Sequence, residues 1–162
     1  MDVSIKKEEG KFKFRVCGMV LNDDKILAVD INDNGFFCLP GGHVHLGEDT
    51  ITAVKREIKE EVEIEAEEVK LLAIMQNFFD ADEKIFHELG YYYLITPKDL
   101  GDKAQDFDFV ENDNGELKNL KFRWINLDDM DKVDFRPRCI AEKLKNRDFT
   151  PTSIIYKQFS RK

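Results

Sequence analysis

Apolar residues change their period several times along the chain, and each change marks an element. From Lys11 to Leu21, Phe12, Phe14 and Val16 alternate with charged residues before the run turns continuously apolar, the pattern of a strand entering a core. Asn22, Asp23 and Asp24 supply a turn, and Lys25 to Ile31 returns as a second strand, so a hairpin is expected. Asn32 to Gly35 is another turn, and Phe36 to Leu39 a short strand leading into Pro40, Gly41 and Gly42. A segment beginning near Thr50 has no Gly or Pro and carries Ile51, Val54, Ile58 and Val62 at spacings of three and four. That spacing predicts a helix with those four residues toward the core. Val69 to Phe79 and Lys84 to Thr96 are β-rich runs on either side of Asp80, Ala81 and Asp82, a long hairpin. Pro97 to Leu120 is polar and rich in Asp, Asn and Gly, which reads as a long functional or mobile loop. Lys121 to Asn126 alternates Phe122 and Trp124 with polar residues as a last strand, and Arg136 to Arg147 predicts a C-terminal helix starting near Pro137. The tail from Phe149 carries Ile154, Ile155 and Tyr156; it either exchanges onto a second chain or hangs free.

Strands, one long helix, more strands and a terminal helix define an α/β (mixed α+β) class, a mixed sheet packed between helices. At 162 residues and 42% hydrophobic, with no linker-like stretch, residues 1–162 are expected to form one domain. The first residues hold no apolar run, and a cytoplasmic protein is expected. Cys17, Cys38 and Cys139 are odd in number and lack a CxxC pair, which argues against a disulfide framework and a zinc site. The net charge of −8 argues against a protein that tracks polymeric nucleic acid, and it requires a metal to offset the charge of a phosphorylated ligand.

On the long helix, Glu57, Glu60 and Glu61 are neighbours, at spacings of one, three and four. Like charges so placed repel by a few tenths of a kcal/mol per pair, and by more when desolvated. A solvated acidic face is the ordinary explanation; a hard divalent cation, which prefers oxygen ligands, is the sharper one. Asp49 or Thr50 can cap the helix, and Glu48 lies where the helix dipole favours an anion. Gly41 and Gly42 immediately upstream let backbone approach a ligand. Together these residues resemble the Nudix box, G-x5-E-x7-R-E-U-x-E-E-x-G-U with U apolar. Gly42, Glu48, Arg56, Glu57, Ile58, Glu60, Glu61 and Ile64 stand in register, and Glu63 departs where the pattern has Gly. A Gly there ends a helix in the left-handed conformation, which costs a Glu roughly 1 kcal/mol. The helix is therefore expected to end differently.

The resemblance implies an α/β/α sandwich and a divalent-metal-dependent hydrolase, with Mg²⁺ or Mn²⁺, that cleaves a phosphoanhydride in a nucleoside diphosphate linked to another moiety. It implies Glu57 and Glu61 as principal metal ligands with Glu60 supporting, a Gly41 or Gly42 carbonyl completing the site, and Arg56 orienting a carboxylate. The general base stays open among Glu60 and the loop residues Glu111 and Glu116. A small nucleotide is the implied partner, with no membrane, and a homodimer is a common assembly. The stretch MQNFFDADEKIF lacks the Pro often found in ADP-ribose enzymes, the Tyr of diadenosine polyphosphate enzymes and the array of NADH enzymes. A non-catalytic nucleotide-sensing module is the alternative, although such modules typically lose these carboxylates. A purely structural acidic domain is a third.

Other residues carry weaker signals. His43 and His45 share one face if the segment is a strand, but no third His or Cys stands near for a metal. His87 beside Glu88 could move a proton, and an ordinary polar pair is the simpler reading. Phe78, Phe79, Phe86, Tyr91, Tyr92 and Tyr93 suit a core, with some able to stack on a base.

Overall fold

The strand Gly10–Asn22 (β2) is where the molecule branches. The computed structural model describes residues 1–159 apart from 82 and 114, with residue 113 described by its backbone alone. The elements before β2 and after it are β1 (Ser4–Lys6), β3 (Lys25–Ile31), β4 (Gly41–His43), α1 (Thr50–Val62), β5 (Ala66–Ala81), β6 (Lys84–Pro97), β7 (Phe107–Asp113), β8 (Glu116–Asn126), α2 (Arg138–Lys145) and β9 (Thr152–Gln158). Strand order is β7-β8-β3-β2-β6-β5-β9, with β1 and β4 paired to β2 off that path. Along one edge β2 runs parallel to β6 from Gly10↔Ile85 to Val20↔Ile95. On its other edge only Leu21 and Asn22 pair with β3, and the two strands splay apart below them. β4 fills the opening, antiparallel to β2, with Val16 opposite Gly42 and Cys17 opposite Gly41. The expected hairpin exists, but it is hinged open to receive the glycines.

Period-two alternation sorts the sheet residues onto two faces. Val16, Val20, Leu27, Val29, Tyr93 and Ile95 form one core with α1, through Ala53, Val54, Ile58 and Val62. Cys17, Met19, Ile26, Ala28 and Tyr92 form the other with α2, through Ile140, Ala141 and Leu144. This is the α/β/α layering expected for the class. α1 comes close to the sheet because Gly18 has no side chain: a Cβ there would lie 2.6 Å from Ile58 Cδ1.

Several expectations need correction. Ile51 is 47% exposed and Ala53 packs in the core, because a first-turn side chain leans toward the helix N-terminus and off the end of the packed face. Phe36 to Leu39 forms no strand; Cys38 and Phe37 make single bridges to Val29 and Phe135. β1, at the polar N-terminus, was not anticipated. Most of the expected 97–120 loop is the edge hairpin β7–β8, in which Phe107 stacks on Phe122 at 4.7 Å. Few of its residues are buried, so its composition resembles that of a loop. The tail does not hang free: β9 pairs in parallel with β5 of its own chain, Ala73↔Thr152 through Phe79↔Gln158. Asp82, in the expected turn of the β5–β6 hairpin, and residues 160–162 of the expected domain lie outside the described residues. Among the described residues no helix is long and apolar enough to cross a membrane.

Glu63 does end α1 in the left-handed conformation, φ 60° and ψ 23°, and its N–H donates to the Lys59 carbonyl at 3.1 Å. The expectation of a different ending fails: the cap's hydrogen bond and the packing of Val62 and Ile64 on either side hold the geometry at the cost of strain. The Glu63 carboxylate, 67% exposed, reaches Lys103 at 3.2 Å, an interaction of little weight at that exposure. Glu63→Gly is therefore expected to relieve up to about 1 kcal/mol of strain and raise the melting temperature by roughly 2–4 °C, read by thermal denaturation. A lower melting temperature would mean that the Lys103 contact outweighs the backbone strain.

Candidate active site

Rotation along α1 decides where its acids go. Measured from Val54 at 100° per residue, Glu57 and Glu61 lie about 60° and 20° to one side, within the arc spanned by buried Ala53 and Val62. Glu60 lies about 120° away, outside it. The three acids therefore do not form the single solvated acidic face that is the ordinary explanation of their spacing. Glu57 and Glu61 point inward at β4, while Glu60 is 59% exposed at the rim.

Inward carboxylates fit because β4 is glycine. A Cβ on Gly42 would lie 2.4 Å from Glu57 Oε2, and Gly41, at φ +152°, passes so close to β2 that a Cβ would meet the Val16 carbonyl oxygen at 2.1 Å. The Gly41 N–H donates to Glu61 Oε2 at 3.1 Å. Burial, then repulsion from Glu57, pushes the Glu61 carboxyl up to about 8. Burial likewise raises Glu57, although Arg56 works against it.

Arg56 ties the acids together. Its Nε and Nη2 donate to the two oxygens of Glu48, each at 2.9 Å. Nη1 donates to Glu57 Oε1 at 2.7 Å and Glu60 Oε2 at 3.2 Å, and Nη2 also reaches the His43 carbonyl at 3.0 Å. Glu48 additionally accepts from the His45 N–H at 3.0 Å, and the Arg56 hydrogen bonds hold its carboxyl down to about 2 despite burial. Asp49 caps the helix, accepting from the Ile51 and Thr52 N–H groups at 2.9 Å, while the Thr50 hydroxyl pairs with that of Tyr93.

These residues open on a cavity of about 320 Å³ lined by Gly41, Gly42, Glu57, Glu61, Glu111 and Arg15. Of the two distal acids considered from sequence, β7 carries Glu111 into this cavity and its charge reaches Glu61. Glu116 stands exposed at the hairpin turn, opposite Asp113. Asp2 and His43 also line the cavity. β4 ends at His43, and His45 makes a bridge to Asp2 instead of continuing the strand. His87 stacks on Phe78 at 4.2 Å, whereas Glu88 on the opposite face binds Lys13 at 3.1 Å, so the two do not act as a pair. Cys17 is buried and its thiol pushed up to about 12 by burial.

Sequence reasoning missed Arg15, Asp2 and the Glu48–Arg56 fork. The eight-residue spacing of Glu48 and Arg56 in the box was the available signal for the fork; nothing local marked Arg15 or Asp2. Among the described residues no three His, Cys, Asp or Glu side chains converge on one point as a ready metal site. The donor chemistry nonetheless fits a hard cation: Glu57 and Glu61 are carboxylates crowded into one cavity against a glycine backbone, with Glu111 across from them.

A site of this form on this sheet belongs to an identified family: residues 11–144 match the NUDIX domain, and the chain is a member of the Nudix hydrolase family. It is 33% identical over 114 residues to an ADP-ribose pyrophosphatase of Methanocaldococcus jannaschii, a match covering 66% of this chain and 65% of that one, so the chain spans slightly under two thirds of that relative's length. The fold is shared with a MutT NUDIX hydrolase of Burkholderia pseudomallei (TM-score 0.60, 23% identity, 83% of this chain and 96% of that one). A MutT protein of Bacillus halodurans is also similar (TM-score 0.55, 17% identity, 82% and 80% covered). Nudix hydrolases generally use divalent cations.

Glu48→Gln is expected to cost about 1.5–3 kcal/mol at neutral pH, the range for a hydrogen bond to a charged group, measured by denaturant unfolding. Because the folded Glu48 carboxyl sits at about 2, below the ordinary 4.5, its contribution is complete above 4.5 and fades as pH falls toward 2. The gap between parent and variant should close over that window; a gap independent of pH would place the loss elsewhere.

Proposed function

We propose that this chain is a divalent-metal-dependent hydrolase that cleaves the phosphoanhydride of a nucleoside diphosphate linked to another moiety. The observation that carries the reading is the inward pair Glu57 and Glu61, buried against Gly42 and raised by burial, in a cavity shared with Glu111. Glu57 and Glu61 would hold the ion, Mg²⁺ or Mn²⁺, with Glu60 supporting from the rim and the Gly41–Gly42 backbone as the floor. When bound, such an ion would supply charge neutralisation for the phosphate oxygens and Lewis acidity toward the water. Arg56 keeps Glu57 and Glu60 turned toward the cavity mouth through charge-assisted hydrogen bonds, and Glu48 fixes Arg56 in turn. Glu111, which reaches the cavity from another strand, is the base that takes the water's proton at its carboxylate; Glu116 stands too far along the hairpin to do so. The same reading takes a small nucleotide rather than a polymer as partner, in a cytoplasmic setting.

Product release from ADP-ribose, nucleotide sugars, dinucleoside polyphosphates and nucleoside triphosphates, with Mg²⁺ and with EDTA, tests this directly. ADP-ribose comes first because the relative at 33% identity carries that name. Metal-dependent release is expected; nucleotide binding without release would instead make the chain a sensor. Glu61→Gln should lower turnover at saturating Mg²⁺ at least about a hundredfold, and parental turnover would refute the metal assignment. Glu111→Gln should lower kcat by about 10²–10⁴ with KM little changed, the contribution typical of a general base.

A further inference from the structure

A second cavity, about 490 Å³, adjoins the first and shares Arg15, Ile31, Cys38 and Leu39 with it. Its far wall is made by Phe36, Phe79, Tyr92, Asn77 and Glu88, with Gln158 of the C-terminal strand donating to Asn77 at 3.0 Å. The acids lie at one end of this continuous cleft, and a guanidinium stands at its waist.

Arg15 is placed there by β2, opposite His43 of β4 on one side and Gly90 of β6 on the other. Its surroundings do not satisfy it. Nη1 lies 3.6 Å from Glu88 Oε1, beyond good hydrogen-bond range, and Nε is buried with no partner. Glu88 is already engaged by Lys13 at 3.1 Å. Arg136, a further cation of the second cavity beside Lys13, forks onto Asp134 and stacks over Phe36 at 4.1 Å. A guanidinium with an unpartnered N–H, lining two cavities, invites a planar or tetrahedral oxyanion that can take its fork.

We propose that Arg15 binds the second phosphoryl group of the substrate, setting the diphosphate astride the waist. One phosphorus then lies among Glu57, Glu61 and Glu111, and the group carried by the other enters the aromatic cavity. Arg15 thereby selects diphosphate-linked substrates over simple phosphomonoesters. This rests on the hydrolase reading above. It differs from that reading in what it demands, because anion binding at Arg15 needs no metal.

The test uses two readouts on the whole chain. In EDTA, calorimetric titration with ADP should show binding to the parent and at least tenfold weaker binding to Arg15→Gln, with Arg15→Lys intermediate. Steady-state kinetics with the best substrate of the panel should show a KM raised at least tenfold in Arg15→Gln and kcat altered less. The double variant Arg15→Gln/Glu88→Gln separates recognition from structure. If Arg15 only neutralises Glu88, removing both charges restores ADP affinity and overturns the proposal; if Arg15 grips phosphate, affinity stays low. Parental ADP affinity in a folded Arg15→Gln, or no ADP binding by the parent, also overturns it. Absence of hydrolysis across the panel would remove the enzyme reading alone, since ADP binding in EDTA still decides the role of Arg15.

Discussion

The site depends on one guanidinium holding a crowd of like charges in place. Arg56 makes five hydrogen bonds, to Glu48 twice, to Glu57, to Glu60 and to the His43 carbonyl. It joins the entry to α1, the body of α1 and the strand β4. Without that cation, inward acids at helical spacing would repel each other in a region of low solvent access, where such repulsion is strongest. The glycines of β4 are the steric counterpart: Gly42 leaves room for Glu57, and Gly41 lets the strand lie against β2. Charge and clearance together allow acids to face a protein interior.

The same arrangement explains why the fold opens where it does. Had β2 and β3 paired along their whole length, no edge would remain for β4, and the glycine backbone would have no fixed partner. Splaying after Leu21 and Asn22 leaves an edge of β2 free, and the cavity lies in the resulting cleft between β4 and the β3–β8–β7 part of the sheet.

Much of this was legible in the residues. The 3.6-period of Val54, Ile58 and Val62 located α1, alternation located β2, β3, β5 and β6, and the spacing of Gly42, Glu48, Arg56, Glu57, Glu60 and Glu61 pointed to the candidate site. What escaped was whatever depends on distant partners. β7 has few buried residues to signal a strand, so Glu111 could be named but not placed. Helical spacing alone puts Glu57 and Glu61 inside the buried arc, but the room for carboxylates there comes from the glycine that stands opposite, which the pattern of the helix does not encode. Arg15 reads as one more charged residue in an alternating strand until β4, β6 and the second cavity surround it. The C-terminal strand had β-type residues, and only the free edge of β5 gave it an address.

The parallel pairing of β2 with β6 has a bearing on biogenesis. Lys13 meets Glu88 across 75 positions of chain, with α1 and β5 intervening. An emerging polypeptide therefore exposes the apolar run of β2 well before its neighbour has been synthesised, and contacts of such long range favour slow assembly. During that interval the ribosome-bound chain presents an unfilled strand edge of the kind that attracts chaperones or other nascent chains.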